Sequence, residues 1–327
     1  MTPKPRLIFS IAALMLLPLG AAAQVATTSY PTKPVHMVVG FPPGGGTDIV
    51  ARIVAQKLSE TWGQQVIVEN RAGASATTAA IVVARSAPDG YTLSMGQLTP
   101  NAIAPALNPK LTYDPIKDFV PIVLVGTSPN VLVVRPSLAA KSVTELVALA
   151  KAQPGKLTYA SSGPGSLQHI AAELFKSMAG VDMVHVPYKG SGQAVTDLIG
   201  GQVDMNFDSI PPVMSHIRAG KLRALAVTAA QRASGMPDVP TIAQSGLPGY
   251  DLTSWWGLFA PAGTPSEIIA KVQRDTAAAL ASPDVRERLT ALSIEPGGGS
   301  SRAFADLVGR EVVKYRKLIG QLKITLE

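Results

Sequence analysis

The chain has 327 residues, with 29 Lys and Arg against 22 Asp and Glu, a formal charge of +7 and no cysteine. The absence of thiols excludes disulfides, thiolate chemistry, cysteine metal sites and a lipid anchor on an N-terminal Cys. The basic residues are scattered, without Lys/Arg runs or interleaved aromatics. A solvated basic surface, with some steering of anionic solutes, accounts for them better than nucleic-acid binding does.

The first element is an export signal. Lys4 and Arg6 form a positive n-region, 7–19 is an apolar run too short to span a bilayer, and Ala21-Ala22-Ala23 is a small-residue cleavage site. Residues 1–23 therefore read as a signal peptide, with a mature start at Gln24 and a periplasmic address. No later stretch reaches about 18 apolar residues, so no membrane insertion is expected. About 300 residues remain, more than one hydrophobic core usually serves, so two lobes are expected.

Short β-branched or apolar runs follow at 35–39, 66–68, 91–94, 122–125, 131–134, 157–160, 184–186, 205–207 and 225–228. Helical patterns lie between them. The best formed puts Leu167, Ile170, Ala171, Leu174, Phe175 and Met178 on one face. Ser142 with Glu145 reads as a capping box, and Thr264, Pro265 and Glu267 read as a cap, a first-turn proline and a box partner. Such alternation predicts α/β lobes with mostly parallel sheets. The stretch 126–130 is expected to separate two strands and to form one crossing between lobes, and 229–240 the return. That divides the mature chain into lobe 1 (24–127 with 229–327) and lobe 2 (128–228), with a ligand cleft between them.

Two loops carry the functional signal. The first, Gly40-Phe41-Pro42-Pro43-Gly44-Gly45-Gly46-Thr47-Asp48, joins a strand to a helix. Its glycines leave backbone N–H groups uncovered, and the helix adds its own unpaired donors and the positive end of its dipole. This is an anion seat. It lacks the Lys-Ser/Thr of a P-loop and is not Gly-x-Gly-x-x-Gly, so nucleotide binding has little support. The second loop, Ser161-Ser162-Gly163-Pro164-Gly165-Ser166, repeats the same physics, with Ser166 also a good N-cap.

Single residues have two readings each. Asp48 is a first-turn acid favoured by the helix dipole or a ligand group, and Asp208 is a structural hydrogen-bond acceptor or a ligand contact. His169 faces the cleft or braces its loop, and no second His or Cys stands at metal spacing, so no metal is expected. Trp255 is expected toward the cleft and Trp256 inward, so that Phe41 and Trp255 frame the pocket. No Gly-x-Ser-x-Gly is present; a secreted hydrolase using Ser162 or Ser166 with His169 is the alternative from a different class.

Many motifs in order carry a resemblance across the whole mature chain. They include Tyr30-Pro31-Thr32-Lys33-Pro34-Val35, the glycine loop, Glu69-Asn70-Arg71-Ala72-Gly73-Ala74, Ala87-Pro88-Asp89-Gly90-Tyr91 and Tyr113-Asp114-Pro115-Ile116-Lys117-Asp118-Phe119. Ser161-Ser162-Gly163 with Ser166 and His169, His185-Val186-Pro187-Tyr188-Lys189-Gly190, Gly200-Gly201-Gln202-Val203-Asp204 and Phe259-Ala260-Pro261-Ala262-Gly263-Thr264-Pro265 complete the set. The sequence resembles the Bug (TctC-like) extracytoplasmic solute receptors. The resemblance implies a Venus-flytrap receptor, not an enzyme and without cofactor. Such a receptor hands a small carboxylate to the membrane subunits of a tripartite tricarboxylate transporter, and a ligand-sensing receptor is the alternative. It also implies that the two loops hold one carboxylate through main-chain N–H groups and water, with further contacts near the strand after Tyr91, near Asp208 and near Trp255. The expected ligand set is Phe41, Gly44, Gly45, Gly46, Thr47, Asp48, Ser161, Ser162, Gly163, Ser166, His169, Asp208 and Trp255. The ligand class is a di- or tricarboxylate, an acidic amino acid or an aromatic carboxylate.

Overall fold

The backbone follows the expected alternation of strand and helix. In the computed structural model, residues 1–2 and 30–325 are described. The signal peptide, apart from Met1 and Thr2, and the expected start at Gln24 lie outside the described residues. All elements belong to the compact unit that begins at Pro31.

In chain order the first elements are β1 (Val35–Val39), α1 (Gly46–Trp62), β2 (Val66–Asn70), α2 (Thr77–Ala84) and β3 (Thr92–Gln97). A π-helical turn, Thr99–Ile103, runs into α3 (Ala104–Leu107) and then the long strand β4 (Phe119–Val134). Next come α4 (Val143–Ala152), β5 (Thr158–Ser161), α5 (Leu167–Ala179), β6 (Val184–Pro187), α6 (Ser191–Ile199), β7 (Met205–Ser209), α7 (Ile210–Arg218) and β8 (Arg223–Val227). The chain ends with β9 (Thr253–Pro261), α8 (Ser266–Ala281), α9 (Pro283–Thr290), β10 (Glu295–Gly298) and α10 (Ser301–Leu322). The strand order is β2-β1-β3-β9-β4-β7-β5-β6, with β8 and β10 also on β4. The outer pairs β1–β2, β1–β3, β5–β6 and β5–β7 are parallel, while the pairs made by β4 and β9 are antiparallel.

β4 corrects one expectation. Residues 126–130 do not separate two strands; they lie inside a single strand of 16 residues. Its first half pairs with β9 as far as Pro129↔Thr253, and its second half pairs with β7 from Asn130↔Ser209 onward. Pro129 is tolerated because its missing N–H falls at this handover between partners. Thr228 stitches the same place: its Oγ1 accepts from the Asn130 N–H at 2.8 Å and donates to the Leu252 carbonyl at 2.7 Å. After β8 the chain stays alongside it, through a Val227↔Thr241 bridge, and enters β9 only at Thr253.

Strand alternation sorts β4 between two cores. Leu132 and Val134 join Phe175, Phe207, Phe259 and Phe304, whereas Val131 and Val133 join Ala160, Leu198 and Ile210 on the other face. Caps behave as the local sequence dictates at Ser142 and Ser166, whose hydroxyls accept from the N–H groups of Glu145 and His169. Thr264 does not cap α8: its hydroxyl donates to the Pro261 carbonyl at 2.8 Å, and the helix starts at Ser266 without a side-chain cap.

Candidate functional site

In α/β units a helix that follows a parallel strand starts at the strand's carboxyl end, so the helix N-termini collect on one side of the sheet. Here α1, α5, α6 and α7 follow β1, β5, β6 and β7 and aim their N-terminal residues at one pocket. Gly46 and Thr47 come from α1 and Gly45 from its N-cap, Leu167 and Gln168 from α5, Ser191 from α6, and Ser209 from the N-cap of α7 at the end of β7. Phe41, Trp256, Gln97, Thr99, Asn130, Ser162 and Ser254 complete the wall of a small cavity of about 30 Å3. None of these side chains is charged. The N–H groups of Gly46, Thr47, Asp48, Leu167, Gln168 and Ser191 have no acceptor among the described residues. That is a concentration of free donors and positive dipole ends, suited to a negative oxygen group.

The charged residues stand behind this lining and hold it. Asp48 is buried, and its carboxylate accepts from the Gly44 N–H at 2.9 Å, Arg52 Nε at 2.9 Å and Asn70 Nδ2 at 2.8 Å. Burial pushes its pKa up, but the bonds from Arg52, Gly44 and Asn70 outweigh burial and the net direction is down. The acid thus ties the glycine loop to β2 instead of facing a ligand. Gly44, at φ +80°, takes the left-handed turn that lets the chain enter α1.

Asp208 plays the matching part beneath the other helices. It is fully buried; Ser191 Oγ donates to it at 2.6 Å, Gln168 Nε2 at 3.3 Å, the Ser209 N–H at 2.8 Å and Asn206 Nδ2 at 2.9 Å. Burial drives its pKa up to about 6 against the pull of those bonds. Gln168 also donates to Ser162 Oγ at 2.8 Å, so one amide links the serine loop to this carboxyl.

Of the remaining predicted residues, Phe41, Gly45, Gly46, Thr47 and Ser162 line the pocket. Ser166 lies behind it as the N-cap of α5. His169 braces the loop by accepting the Gly165 N–H at 3.1 Å. Its ring stacks on His185, whose Nε2 is 2.6 Å from Ser161 Oγ. Burial lowers the pKa of both rings, that of His185 to about 4. Gly163 lines a neighbouring cavity.

The two tryptophans stand the other way round from the expectation. Trp256 lines the pocket and donates to Thr47 Oγ1 at 3.1 Å, while Trp255 packs against Phe259 and Phe304 in the core. Their order is set by the pairing of Trp256 with Gln97 across β3 and β9, which fixes the face of every residue in the strand. Gln97 lies in the strand after Tyr91, where contacts were expected without a residue being named, whereas Thr99, Asn130, Gln168, Ser191, Ser209 and Ser254 were missed. A serine at the start of a helix that closely follows a strand, as at Ser191 and Ser209, was the available signal.

The family described as "Tripartite tricarboxylate transporter family receptor", TctC, matches residues 50–324, well over half of the chain. The chain belongs to the TctC family. It is therefore a solute receptor and not an enzyme. Protein BugT of Bordetella pertussis is 40% identical over 290 residues, covering 88% of this chain and 89% of BugT. Among solved TctC-like structures, an R. palustris protein with adipate is 39% identical with a TM-score of 0.88, covering 90% of this chain and 99% of that one. MatC from Rhodopseudomonas palustris, with bound malate, is 38% identical with a TM-score of 0.85, covering 89% and 100%. A further relative at TM-score 0.87 and 33% identity, covering 90% of this chain and 99% of its own, is the periplasmic binding protein BugD. Among the described residues no helix is long and apolar enough to cross a membrane.

Proposed function

We propose that this receptor binds a small carboxylate in the pocket where the four helices begin, and delivers it to the membrane subunits of a tripartite tricarboxylate transporter. The observation that carries the reading is the set of unpaired N–H groups from α1, α5 and α6 in a pocket lined without Lys or Arg. A carboxylate there gains several charge-assisted hydrogen bonds without an ion pair to break on release. Adipate and malate in related structures support the ligand class.

The pocket takes residues from both sides of the β4 handover, so residues 24–127 with 229–327 and residues 128–228 act as two lobes closing on the ligand. The export signal read from the sequence and the family support a periplasmic address, where a diffusing receptor meets its transporter. Gly44, Asp48, Ser161, Ser166, His169 and Asp208 act by shaping the two loops, and Trp256 takes the wall position expected of Trp255. A thermal-shift screen against carboxylic acids, sugars and cations tests this: a carboxylate raises the melting temperature. A response only to sugars or cations would refute it.

A further inference from the structure

Asp208 is an acid buried without a counter-ion. Its hydrogen-bond partners are two hydroxyls, two side-chain amides and a main-chain N–H, none of them a cation. The charged groups on the elements packed against β7 are engaged elsewhere. On α5, His169 accepts from Gly165, while Glu173 is held by Tyr159 of β5 and by Lys176. On α6, Asp197 takes the Tyr188 hydroxyl, and on α7 His216 and Arg218 stand in the last turn, at the end away from Asp208. β4 carries no titratable side chain. Further off, His185 is bonded to Ser161 and Asp48 to Arg52.

The two carboxylate oxygens have different surroundings. Oδ1 accepts from Ser191 Oγ, Gln168 Nε2 and the Ser209 N–H, all from residues that line the anion pocket. Oδ2 has one partner among the described residues, Asn206 Nδ2 at 2.9 Å. The other end of that amide, Asn206 Oδ1, is buried without a partner. Turned end for end, the amide gives up no other hydrogen bond and presents Oδ1 to Asp208. It can therefore accept from a protonated Oδ2 as well as donate to an ionised one. Both forms of the acid have a partner in the same frame.

A carboxylate seated on the N–H groups of Ser191 and Gln168 stands one residue away from Asp208. At a separation of about 7 Å and an effective dielectric of about 20, its charge weakens ionisation of the acid roughly fiftyfold. We propose that Asp208 takes up a proton at Oδ2 when a carboxylate enters the pocket, so that the receptor binds the anion and a proton together. This rests on the carboxylate reading of the pocket and adds to it a dependence on pH. The proton comes from solvent and returns to it on release. Burial already holds the pKa at about 6 against the pull of the donors, and the ligand's charge raises it further. Binding is therefore strongest below that value and weakens as pH rises through the raised one.

Calorimetric titration with adipate, malate, succinate and benzoate at pH 7, in two buffers of different ionisation enthalpy, counts the protons. With each acid that binds, the parent takes up most of one proton, and Kd rises about tenfold from pH 6.5 to pH 8. Asp208→Asn, which keeps the shape of the neutral acid, takes up none, and its Kd is flat over that range. Ser191→Ala removes the closest donor and leaves the acid harder to ionise, so uptake shrinks at pH 7 and grows at pH 8; this variant serves if Asp208→Asn does not fold. Binding to the parent without proton uptake, or uptake that survives Asp208→Asn, overturns the proposal and leaves the carboxylate seat standing. Binding of none of the four acids defeats the seat and the proposal with it.

Discussion

Gly46 is the point at which the first residue of α1 meets the N-terminus of α7, and replacing it by alanine tests whether binding requires the two to close. A Cβ at Gly46 would stand 2.5 Å from Ser209 Oγ and 3.2 Å from Ser209 Cβ, against about 3.5–4.0 Å for a comfortable carbon contact. The hydroxyl can rotate, at the expense of its 3.4 Å contact with Asp208, but the Cβ cannot. Accommodation thus requires α7 to back away from α1 by a few tenths of an ångström. Overpacking of this kind costs about 1–3 kcal/mol, which is roughly 5- to 150-fold in an equilibrium constant. On the proposed closure of two lobes, the unliganded protein escapes that cost by parting the two helices. Alanine also suits a helix better than glycine by roughly 0.5–1 kcal/mol. Titration calorimetry on Gly46→Ala, with the carboxylate that binds the parent best, is expected to show Kd raised within that range. Scanning calorimetry without ligand is expected to show an unchanged or higher Tm. An affinity within twofold of the parent refutes the reasoning, and so does a Tm loss as large as the binding loss, which would mean simple damage to the fold.

The other outcomes are more local. Asp48→Asn removes the charge that gathers Gly44, Arg52 and Asn70, and urea denaturation should show a loss of about 1–3 kcal/mol at pH 7. Because the folded pKa of Asp48 is lowered, its contribution is fully present above the ordinary carboxylate range and disappears as pH falls through the folded value, so parent and variant should converge in acid. Ser166→Ala should lose about 1 kcal/mol of cap energy and a few degrees of Tm, with weaker ligand binding because the cap fixes the serine loop. The His169–His185 stack works in the same direction as Asp48: both folded pKa values are lowered, so stability is present above about pH 6.5 and falls as pH drops toward 4. Calorimetry at pH 7.5, 6 and 5 should show a smaller Tm decline for the His169→Gln, His185→Gln double variant; equal slopes would remove the pair from the pH response.

What could be read from the sequence was what is decided within a few residues. The glycine loop, the serine loop and the Ser166 cap depend on local backbone chemistry, and each β-branched run from 35 to 228 overlaps a strand of the structure, with Tyr91, Leu157 and Thr228 one residue outside theirs. Three features depend on partners distant in the chain. The join of 122–125 to 131–134 into β4 requires β9 and β7 to supply hydrogen bonds past Pro129. The exchange of Trp255 and Trp256 follows from cross-strand register, which a period-two pattern leaves open when both faces are buried. β10, Glu-Pro-Gly-Gly, has the composition of a turn and is a strand only because the edge of β4 is there to pair with it. Asp48 and Asp208 illustrate the same limit in the site: their types were legible, but which groups would surround them was not.

The unbroken run of β4, with Thr228 fastened across it to Asn130 and Leu252, gives the molecule a flexure in place of a pivot. A pivot works by freeing bonds at one point, whereas a flexure keeps every rung of its ladder and spreads a small change of angle along its length. Opening and closing would then leave the amide protons of β4 equally slow to exchange, with and without ligand, and the difference would fall on the loops at 40–46 and 161–166. On the proposed lobe closure, such a joint would store the displacement as twist and return it, so that the backbone itself would help release the ligand.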